Sequence, residues 1–308
     1  MPSLAKNLST SPAGSLANWV PTWTKRDPAF PTTETIWDVT WGNGLYVLVG
    51  LTHDEYIQTS PDGVVWTSRT VPPTKVGHTL VGANYINNLF FAVGQNEDVH
   101  SSSDGINWVH HPTGETAESF YSIDYSTGLY VLASTTGKTK WTTDLISFNL
   151  VKPDPATSDW YYEVRFIPWL GLWILVGDNG SIFSAPDGKT WTRRTPAGGY
   201  TGNIYTLNFS DSLIIVAGQN GGIQSSVDGV NWVQQTAAGG YTGAFTGSAF
   251  TRNTFILGGT GAQIQFSYDG VNWYQSTPAG SFSGNFAGAG SNGRVVLVGT
   301  LGEIQTGE

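Results

Sequence analysis

A short pattern that recurs along the chain sets the period of its fold. Ser60-Pro-Asp62-Gly63-Val-Val-Trp66 returns as Ser102-Ser-Asp104-Gly105-Ile-Asn-Trp108. The same spacing of an aspartate and an aromatic residue occurs at Asp144 with Phe148, Asp187 with Trp191, Asp228 with Trp232, and Asp269 with Trp273. Successive aspartates are 42, 40, 43, 41 and 41 residues apart. Because this period is that of a four-stranded propeller blade, the repeat predicts a β-propeller.

Each repeat divides into four short segments of β-strand character, which we label A to D. In the first repeat, residues 36–41 alternate in polarity, residues 45–50 are continuously apolar, and residues 56–59 and 65–70 follow. The dipeptide Asp62-Gly63 between C and D predicts a type I′ turn, in which both central residues have positive φ. The composition agrees with an all-β chain, since charged residues make up only 12% of it and aromatic residues 13%.

The last repeat has no D strand of its own at the C-terminus. The chain contains seven apolar B segments but only six aspartate turns, and Pro21-Thr-Trp23-Thr-Lys-Arg26 resembles residues 65–69. We therefore predict a seven-bladed β-propeller of four-stranded antiparallel blades over residues 18–308, in which strand 18–27 completes the C-terminal blade 286–308. Closure in this way removes free sheet edges. Residues 1–17 are expected to form a flexible or partner-bound N-terminal arm.

The repeat resembles the Asp-box (BNR) repeat of sialidase-like propellers, whose pattern is Ser-x-Asp-x-Gly-x-x-Trp. Here glycine directly follows aspartate, and this shortened form is similar to repeats of phage tail and other virion proteins. Residues that recur in every blade define the repeating unit, so we interpret the aspartates as turn-fixing and the tryptophans as packing between blades. These structural residues are Asp62, Asp104, Asp144, Asp187, Asp228, Asp269, Trp66, Trp108, Trp191, Trp232 and Trp273.

The resemblance to sialidases implies three arginines that clamp a substrate carboxylate, and the predicted strands do not supply them. Arg165 is the one arginine expected on an inner A strand, whereas D strands carry Arg26, Arg69, Arg193 and Arg194, and A–B turns carry Arg252 and Arg294. We predict no catalytic residues. A glycosidase or lyase on the face of the D–A loops remains an alternative, and a glycosidase needs two carboxylates about 5–10 Å apart. Acids expected on that face are Asp54, Glu55, Glu97, Asp98, Glu115, Glu118, Asp159 and Asp178.

Charge and residue types limit the partners. A net charge of −9 disfavours nucleic acid, because a phosphate-binding surface needs clustered Lys and Arg. No apolar run reaches the roughly 20 residues of a membrane span, so no membrane insertion is expected. The chain has no cysteine, and the spacing of His53, His78, His100, His110 and His111 does not suit a metal. We therefore expect no metal and no cofactor.

Three consecutive D–A connectors are near-copies, at residues 196–203, 237–244 and 278–285. Their aromatic residues Tyr200, Tyr241 and Phe282, with Asn179 and Asn220 on B–C loops, could hold a sugar ring. In the alternative, these rings pack over the neighbouring blade and the similarity reflects duplication. The longer connector at residues 152–162 carries Trp160 and Tyr161, which we predict to form a contact surface.

These features favour a non-enzymatic recognition or assembly module. We expect a phage virion component, in the tail or on the capsid, that contacts another particle protein or a cell-surface glycan. Such a protein would be found in the virion, or outside the cell after lysis. The alternative functions are a polysaccharide-acting enzyme and a cellular assembly factor. The alternative location is the cytoplasm. The sequence leaves the oligomeric state open.

Overall fold

The computed structural model describes residues 19–29, 34–50, 57–70, 79–114 and 118–308. These residues form seven four-stranded antiparallel sheets, and within each sheet the strands follow the order A, B, C, D. The predicted seven-bladed β-propeller is therefore confirmed. The expected N-terminal arm, residues 1–17, lies outside the described residues. The described part of the chain contains no apolar helix of membrane-spanning length.

The strands match the predicted segments to within a few residues. The A strands, around the axis, are Ile36–Gly42, Leu80–Ile86, Phe120–Ser126, Tyr161–Ile167, Ile204–Phe209, Phe245–Thr251 and Phe286–Ser291. The B strands are Leu45–Gly50, Leu89–Gly94, Leu129–Ser134, Leu172–Gly177, Ile214–Gly218, Thr254–Gly259 and Val295–Gly299. The C strands are Ile57–Ser60, Val99–Ser102, Thr139–Thr142, Ile182–Ala185, Ile223–Ser226, Ile264–Ser267 and Ile304–Gly307. The D strands are Thr67–Arg69, Val109–His110, Asn149–Val151, Thr192–Arg194, Val233–Gln235, Tyr274–Ser276 and, for blade 7, Trp23–Arg26.

Blade 7 is composite, as predicted. Strand Trp23–Arg26 pairs antiparallel with Ile304–Gly307, with Trp23 opposite Gly307. The indole of Trp23 is 7% exposed, and its N–H donates to Ser276 Oγ of blade 6 at 2.9 Å. The N-terminal strand is thus bonded both to the last blade and to that blade's neighbour.

The hydrophobic core of the described residues consists of seven clusters, one at each junction between neighbouring blades. At the junction of blades 1 and 2, Val47 and Ile57 share a cluster with Leu80 and Phe90. Trp108, from the aspartate turn of blade 2, joins the same cluster. Because both faces of each sheet are buried in this way, the B strands are apolar along their whole length.

All six aspartate turns share one hydrogen-bond pattern, in which the carboxylate accepts the backbone N–H groups two and three residues ahead. These bonds stabilise the ionised carboxylate. In blade 5 they lower the pKa of Asp228 to about 2, chiefly through the backbone N–H of Asn231. The turn aspartates therefore stay charged over almost the whole pH range in which the protein would be studied.

The predicted type I′ geometry of these turns is wrong. Gly63 has a positive φ of 75°, but Asp62 does not, because its side chain closes a wider turn than a two-residue hairpin. Paired positive φ values occur instead at A–B turns, as at Asn43 (45°) and Gly44 (76°). That is the geometry that a two-residue hairpin of twisted strands requires.

The second residue of the C strand anchors the incoming connector in several blades. Gln305 accepts the N–H of Ala279 and donates to its carbonyl, both at 3.0 Å. Gln58, Gln224 and Gln265 also accept a connector N–H. Blade 2 has His100 at this position, fully buried, with its ring centroid 5.1 Å from that of His110.

Acid is expected to destabilise blade 2 through His100. Burial lowers the pKa of His100 to about 4, although the nearby Asp98 carboxylate acts in the opposite direction. Because an unfolded histidine has a pKa of about 6.5, the unfolded chain binds more protons between these two values. The free energy of unfolding should therefore fall as the pH drops from about 6.5 to about 4, by at most about 1.4 kcal/mol per pH unit.

Urea denaturation across this pH range checks that expectation. The matched variant is His100→Gln, because glutamine is the residue at this position in four other blades. We expect the variant to lose this part of the pH dependence. An unchanged slope would show that other groups, such as the neighbouring His110 and His111, are responsible.

Candidate functional site

The second residue of each A strand lies at the mouth of the central channel, on the face of the D–A connectors. In every blade the pairing of A with B shifts register between the first and third residues of the A strand. Such a bulge leaves the second residue unpaired and redirects its side chain. The seven second residues all line one cavity of about 550 Å³, and they are Trp37, Val81, Tyr121, Tyr162, Tyr205, Thr246 and Ala287.

Four aromatic rings, which we call the aromatic arc, follow one another along this mouth. They are Trp160, Tyr121, Tyr162 and Tyr205, with successive ring centroids 6.3, 5.3 and 4.9 Å apart. Trp160 is 44% exposed, so its ring is open to contact from solution. Trp37 of blade 1 lines the same cavity and is 38% exposed. The mouth therefore presents a broad aromatic surface contributed mainly by blades 3 to 5.

The B–C turns fix the rings of the aromatic arc. Asp178, in the turn of blade 4, accepts the Tyr162 hydroxyl at 2.8 Å and the Trp160 backbone N–H at 3.0 Å. In the turn of blade 5, Gln219 Nε2 donates to the Tyr205 hydroxyl at 2.9 Å. Burial, and then the bond to Asp178, raise the pKa of Tyr162 well above its usual value. Its hydroxyl therefore stays neutral, and the ring is held in one orientation.

A buried ion pair lies in the wall of the channel beside the aromatic arc. Arg165 and Glu163, on the A strand of blade 4, form a direct salt bridge. The other oxygen of Glu163 accepts the Leu207 N–H of blade 5 at 2.7 Å. Arg165 Nη1 donates at 2.9 Å to both Ser122 Oγ of blade 3 and the Val164 carbonyl. This pair thus links three consecutive blades, and both of its charges are already engaged.

Two further carboxylates tie neighbouring A strands together near the axis. Asp38 of blade 1 accepts the Ala83 N–H of blade 2 at 2.9 Å. Asp124 of blade 3 accepts the Phe166 N–H of blade 4 at 2.8 Å. Carboxylates that accept backbone N–H groups in this way position the strands against each other.

The near-copy connectors use their aromatic residues to join blades. The Tyr200 hydroxyl donates to the Gln219 carbonyl at 2.7 Å, and the Tyr241 hydroxyl donates to the Thr260 carbonyl at 2.9 Å. Both rings, and that of Phe282, are half-buried against clusters between blades. These contacts favour the packing alternative, and a ligand role for the three residues stays a prediction. Asn179 and Asn220 are exposed and adopt positive φ in their B–C turns.

The long connector contributes Trp160 to the mouth but not Tyr161. Tyr161 is fully buried, and its ring lies edge-on to Phe183, with centroids 5.6 Å apart. The prediction that Tyr161 forms part of a contact surface is therefore wrong, because the first residue of each A strand faces the core. The next residue, Tyr162, is the one that the bulge places at the mouth. Tyr121 and Tyr205, which occupy the same position in their blades, were also absent from the predicted site.

The predicted acids whose side chains the structure describes on this face are held by hydrogen bonds or ion pairs, or are buried. Asp98 and Glu118 are each 2% exposed, and Glu118 pairs with Lys138 at 2.7 Å. Asp159 accepts hydrogen bonds from Asn179 and from Ser181, each at 3.0 Å. Outside the described residues are Asp54, Glu55, Glu115, His53 and His78. Within the described ranges, no three histidine or acidic side chains group as metal ligands.

The seven arginines lie on the strands and turns that the sequence analysis predicted for them. Arg165 is on an inner A strand, and the others are on D strands or in A–B turns. The described residues of the mouth therefore offer one arginine, already paired with Glu163, and not a set of three.

The fold and its bulged inner strands define a seven-bladed β-propeller with an aromatic channel mouth. No protein-family model matches the sequence, and no curated protein matches it. Among solved structures, the chain is similar to a streptogramin B lyase, with a TM-score of 0.79, 10% identity, and coverage of 94% of this chain and 97% of that one. The WD40 β-propeller domain of Doa1 matches with a TM-score of 0.73 and 11% identity, over 94% and 97% of the two chains. YCF48 bound to D1 peptide matches with a TM-score of 0.72 and 19% identity, over 94% and 96%.

These likenesses establish the fold and no more, since every identity is low. The three neighbours have different roles, because one is named as a lyase, one is a WD40 domain, and one was solved with a bound peptide. Function has to be argued from the site itself.

Proposed function

We propose that this chain is a non-enzymatic recognition module that binds a carbohydrate at the mouth of its central channel. The aromatic arc, with Trp160 exposed and its three tyrosines half-buried, is the observation that carries the proposal, because aromatic faces suit the C–H faces of sugar rings. Amide and hydroxyl groups of Gln95, Asn285 and Thr300 line the same cavity and suit sugar hydroxyls. A volume of about 550 Å³ falls within the usual range of small-molecule sites.

The state of the carboxylates supports binding without turnover. Glycoside hydrolysis needs one carboxyl group as an acid and a second as a base or nucleophile, both able to reach the scissile bond. Asp38 and Glu163 are the acidic residues among the described lining of the cavity. Each accepts a backbone N–H from the neighbouring blade, and Glu163 also pairs with Arg165. Moving either carboxylate to a substrate would break contacts that hold the blades together.

We place this module in a phage particle, in the tail or on the capsid, where contacts with another particle protein would hold it. The support is the likeness of the repeat, as in Ser102-Ser-Asp104-Gly105-Ile-Asn-Trp108, to the shortened Asp-box repeats of virion proteins. Mass spectrometry of purified particles tests this placement. Recovery of the chain with particles is expected, whereas recovery only from uninfected cytoplasm would favour a cellular assembly factor.

Substitutions in the aromatic arc test the carbohydrate site. Tyr121→Ala and Tyr162→Ala should each weaken binding of a glycan by about five- to thirtyfold, since a lost aromatic contact costs roughly 1–2 kcal/mol. Isothermal titration with a glycan identified on an array measures the change. Tyr274→Ala is the matched control, because Tyr274 is 49% exposed on an outer D strand.

The outcome distinguishes binding from catalysis as well. Equal affinities for the Tyr162→Ala variant and the unaltered protein would rule out the mouth as the site. Release of reducing ends from the bound glycan would overturn the non-enzymatic proposal and favour a polysaccharide-acting enzyme.

A further inference from the structure

Around the mouth, the described carboxylates outnumber the described basic side chains. Asp38 and Glu163 line the cavity, and Asp178 accepts hydrogen bonds from the Tyr162 hydroxyl and the Trp160 N–H. Arg165 is the one basic residue among the described lining. The charge that the described residues place near a ligand in this mouth is therefore negative, in a chain whose net charge is −9.

The single arginine is not available to a ligand. Its side chain is 7% exposed, Nη1 donates to Ser122 Oγ and to the Val164 carbonyl, and Nη2 contacts Glu163. Recognition of a carboxylate, sulfate or phosphate needs a free fork of N–H donors or a comparable cluster of them. Arg165 instead donates these hydrogen bonds to groups of the protein itself.

The aromatic arc adds to this electrostatic preference. The face of an aromatic ring is the negative end of its quadrupole, so it attracts cations and repels anions. Asp178 accepts the Tyr162 hydroxyl, which places a carboxylate next to the hydroxyl end of the same ring. An acidic sugar stacked on Tyr162 would therefore meet negative charge from the ring face and from the carboxylate at its hydroxyl end.

Resting on the proposed carbohydrate function, we infer that the mouth selects neutral and amino sugars and excludes sugars that carry a carboxylate, sulfate or phosphate. Neutral sugar rings stack on the aromatic faces and hydrogen-bond to the amide groups of Gln95 and Asn285, which line the cavity. A protonated amino group gains attraction from the ring faces and from the carboxylates. An acidic ring loses its hydration in the mouth and finds no free cation among the described residues that line the cavity.

A glycan array that carries neutral, amino and acidic sugars tests this selectivity with the whole chain. We expect the bound set to consist of neutral and amino sugars. Titration of the best ligand against its counterpart with a uronic acid at the same position should then show at least a tenfold weaker affinity for the acidic form. The preference for an amino sugar over its neutral counterpart should shrink as salt is added.

The Asp178→Asn variant tests whether the negative charge of Asp178, and not the shape of the mouth, sets the selectivity for sugars. Asp178 accepts both the Tyr162 hydroxyl and the Trp160 N–H, and asparagine keeps an oxygen for only one of them. We therefore expect the affinities for all sugars to fall together, and the measured quantity is the ratio of the affinities for amino and acidic sugars. The gap between amino and acidic sugars should narrow by several-fold. An unchanged gap would show that Asp178 does not set the selectivity.

The possible failures are distinguishable. Tight binding of a sialylated or uronic glycan that is lost in the Tyr162→Ala variant would overturn the inference and leave the carbohydrate site standing. Absence of any glycan binding, or binding that survives both Tyr121→Ala and Tyr162→Ala, would overturn the proposed function and the inference together.

Discussion

Replacing Trp23 by alanine is expected to lower the free energy of unfolding by about 3–5 kcal/mol, the usual cost of removing a buried tryptophan. Trp23 is 7% exposed and packs against the cluster between blades 6 and 7. Its strand also completes blade 7, so the substitution weakens the junction that closes the ring. Closed rings unfold cooperatively because every blade has two neighbours, and loss of one junction should lower that cooperativity as well.

Chemical denaturation with fluorescence and circular dichroism measures this effect. Trp37→Ala is the matched control, because Trp37 is 38% exposed at the channel mouth and should cost much less. A loss below about 1 kcal/mol for Trp23→Ala would mean that strand 23–26 contributes little to closure.

Replacing Glu163 by alanine is expected to cost about 3–5 kcal/mol, because it leaves the Arg165 charge buried without its partner. The substitution also removes the acceptor of the Leu207 N–H in blade 5. Both effects act on the A strands that shape the channel, so we expect lower stability together with a less ordered mouth.

A double-mutant cycle separates the two contributions. Glu163→Gln keeps an oxygen for the Leu207 N–H, and Arg165→Met removes the buried charge while keeping much of the side-chain volume. The double variant should be more stable than Glu163→Gln alone. If the double variant is as unstable as the sum of the single variants, the charge pairing of Glu163 and Arg165 is not what stabilises this region.

The fold could be predicted from the sequence because the blade repeats. The aspartate spacing set the blade length, and the resemblance of Trp23 and its neighbours to the D segment revealed the composite blade. The geometry of the turns could not be read from a dipeptide, since the Asp62 side chain builds its own turn through bonds to Val64 and Val65. Side-chain hydrogen bonds of this kind compete with the backbone geometry that a two-residue hairpin would adopt.

The candidate site was less predictable, for a reason that the connectors and the A strands illustrate together. Tyr200 and Tyr241 were predicted as ligand-binding residues because their connectors are near-copies. Residues that repeat from blade to blade are, however, those that stabilise the fold. Accordingly, both hydroxyls donate to backbone carbonyls. The aromatic arc occupies a position that changes from blade to blade, with Tyr162 in blade 4 but Ala287 in blade 7. The sequence signal that could have identified this site is that the second residue of the A strand differs between blades, whereas most other positions repeat.

The choice between Tyr161 and Tyr162 depended on a feature that periodicity hides. Strict alternation gives a strand only two faces. The bulge that follows the first residue of every A strand breaks that alternation and turns the second residue to the channel. The sequence therefore predicted Trp160, which lines the mouth, and Tyr161, but not Tyr162.

A crystal structure of the chain with a bound neutral oligosaccharide tests the account most directly. The account predicts a sugar ring stacked on the aromatic arc, in contact with Tyr121 or Tyr162 at the channel mouth. A sugar bound instead at the connectors of Tyr200 and Tyr241, or on the face of the aspartate turns, would contradict it.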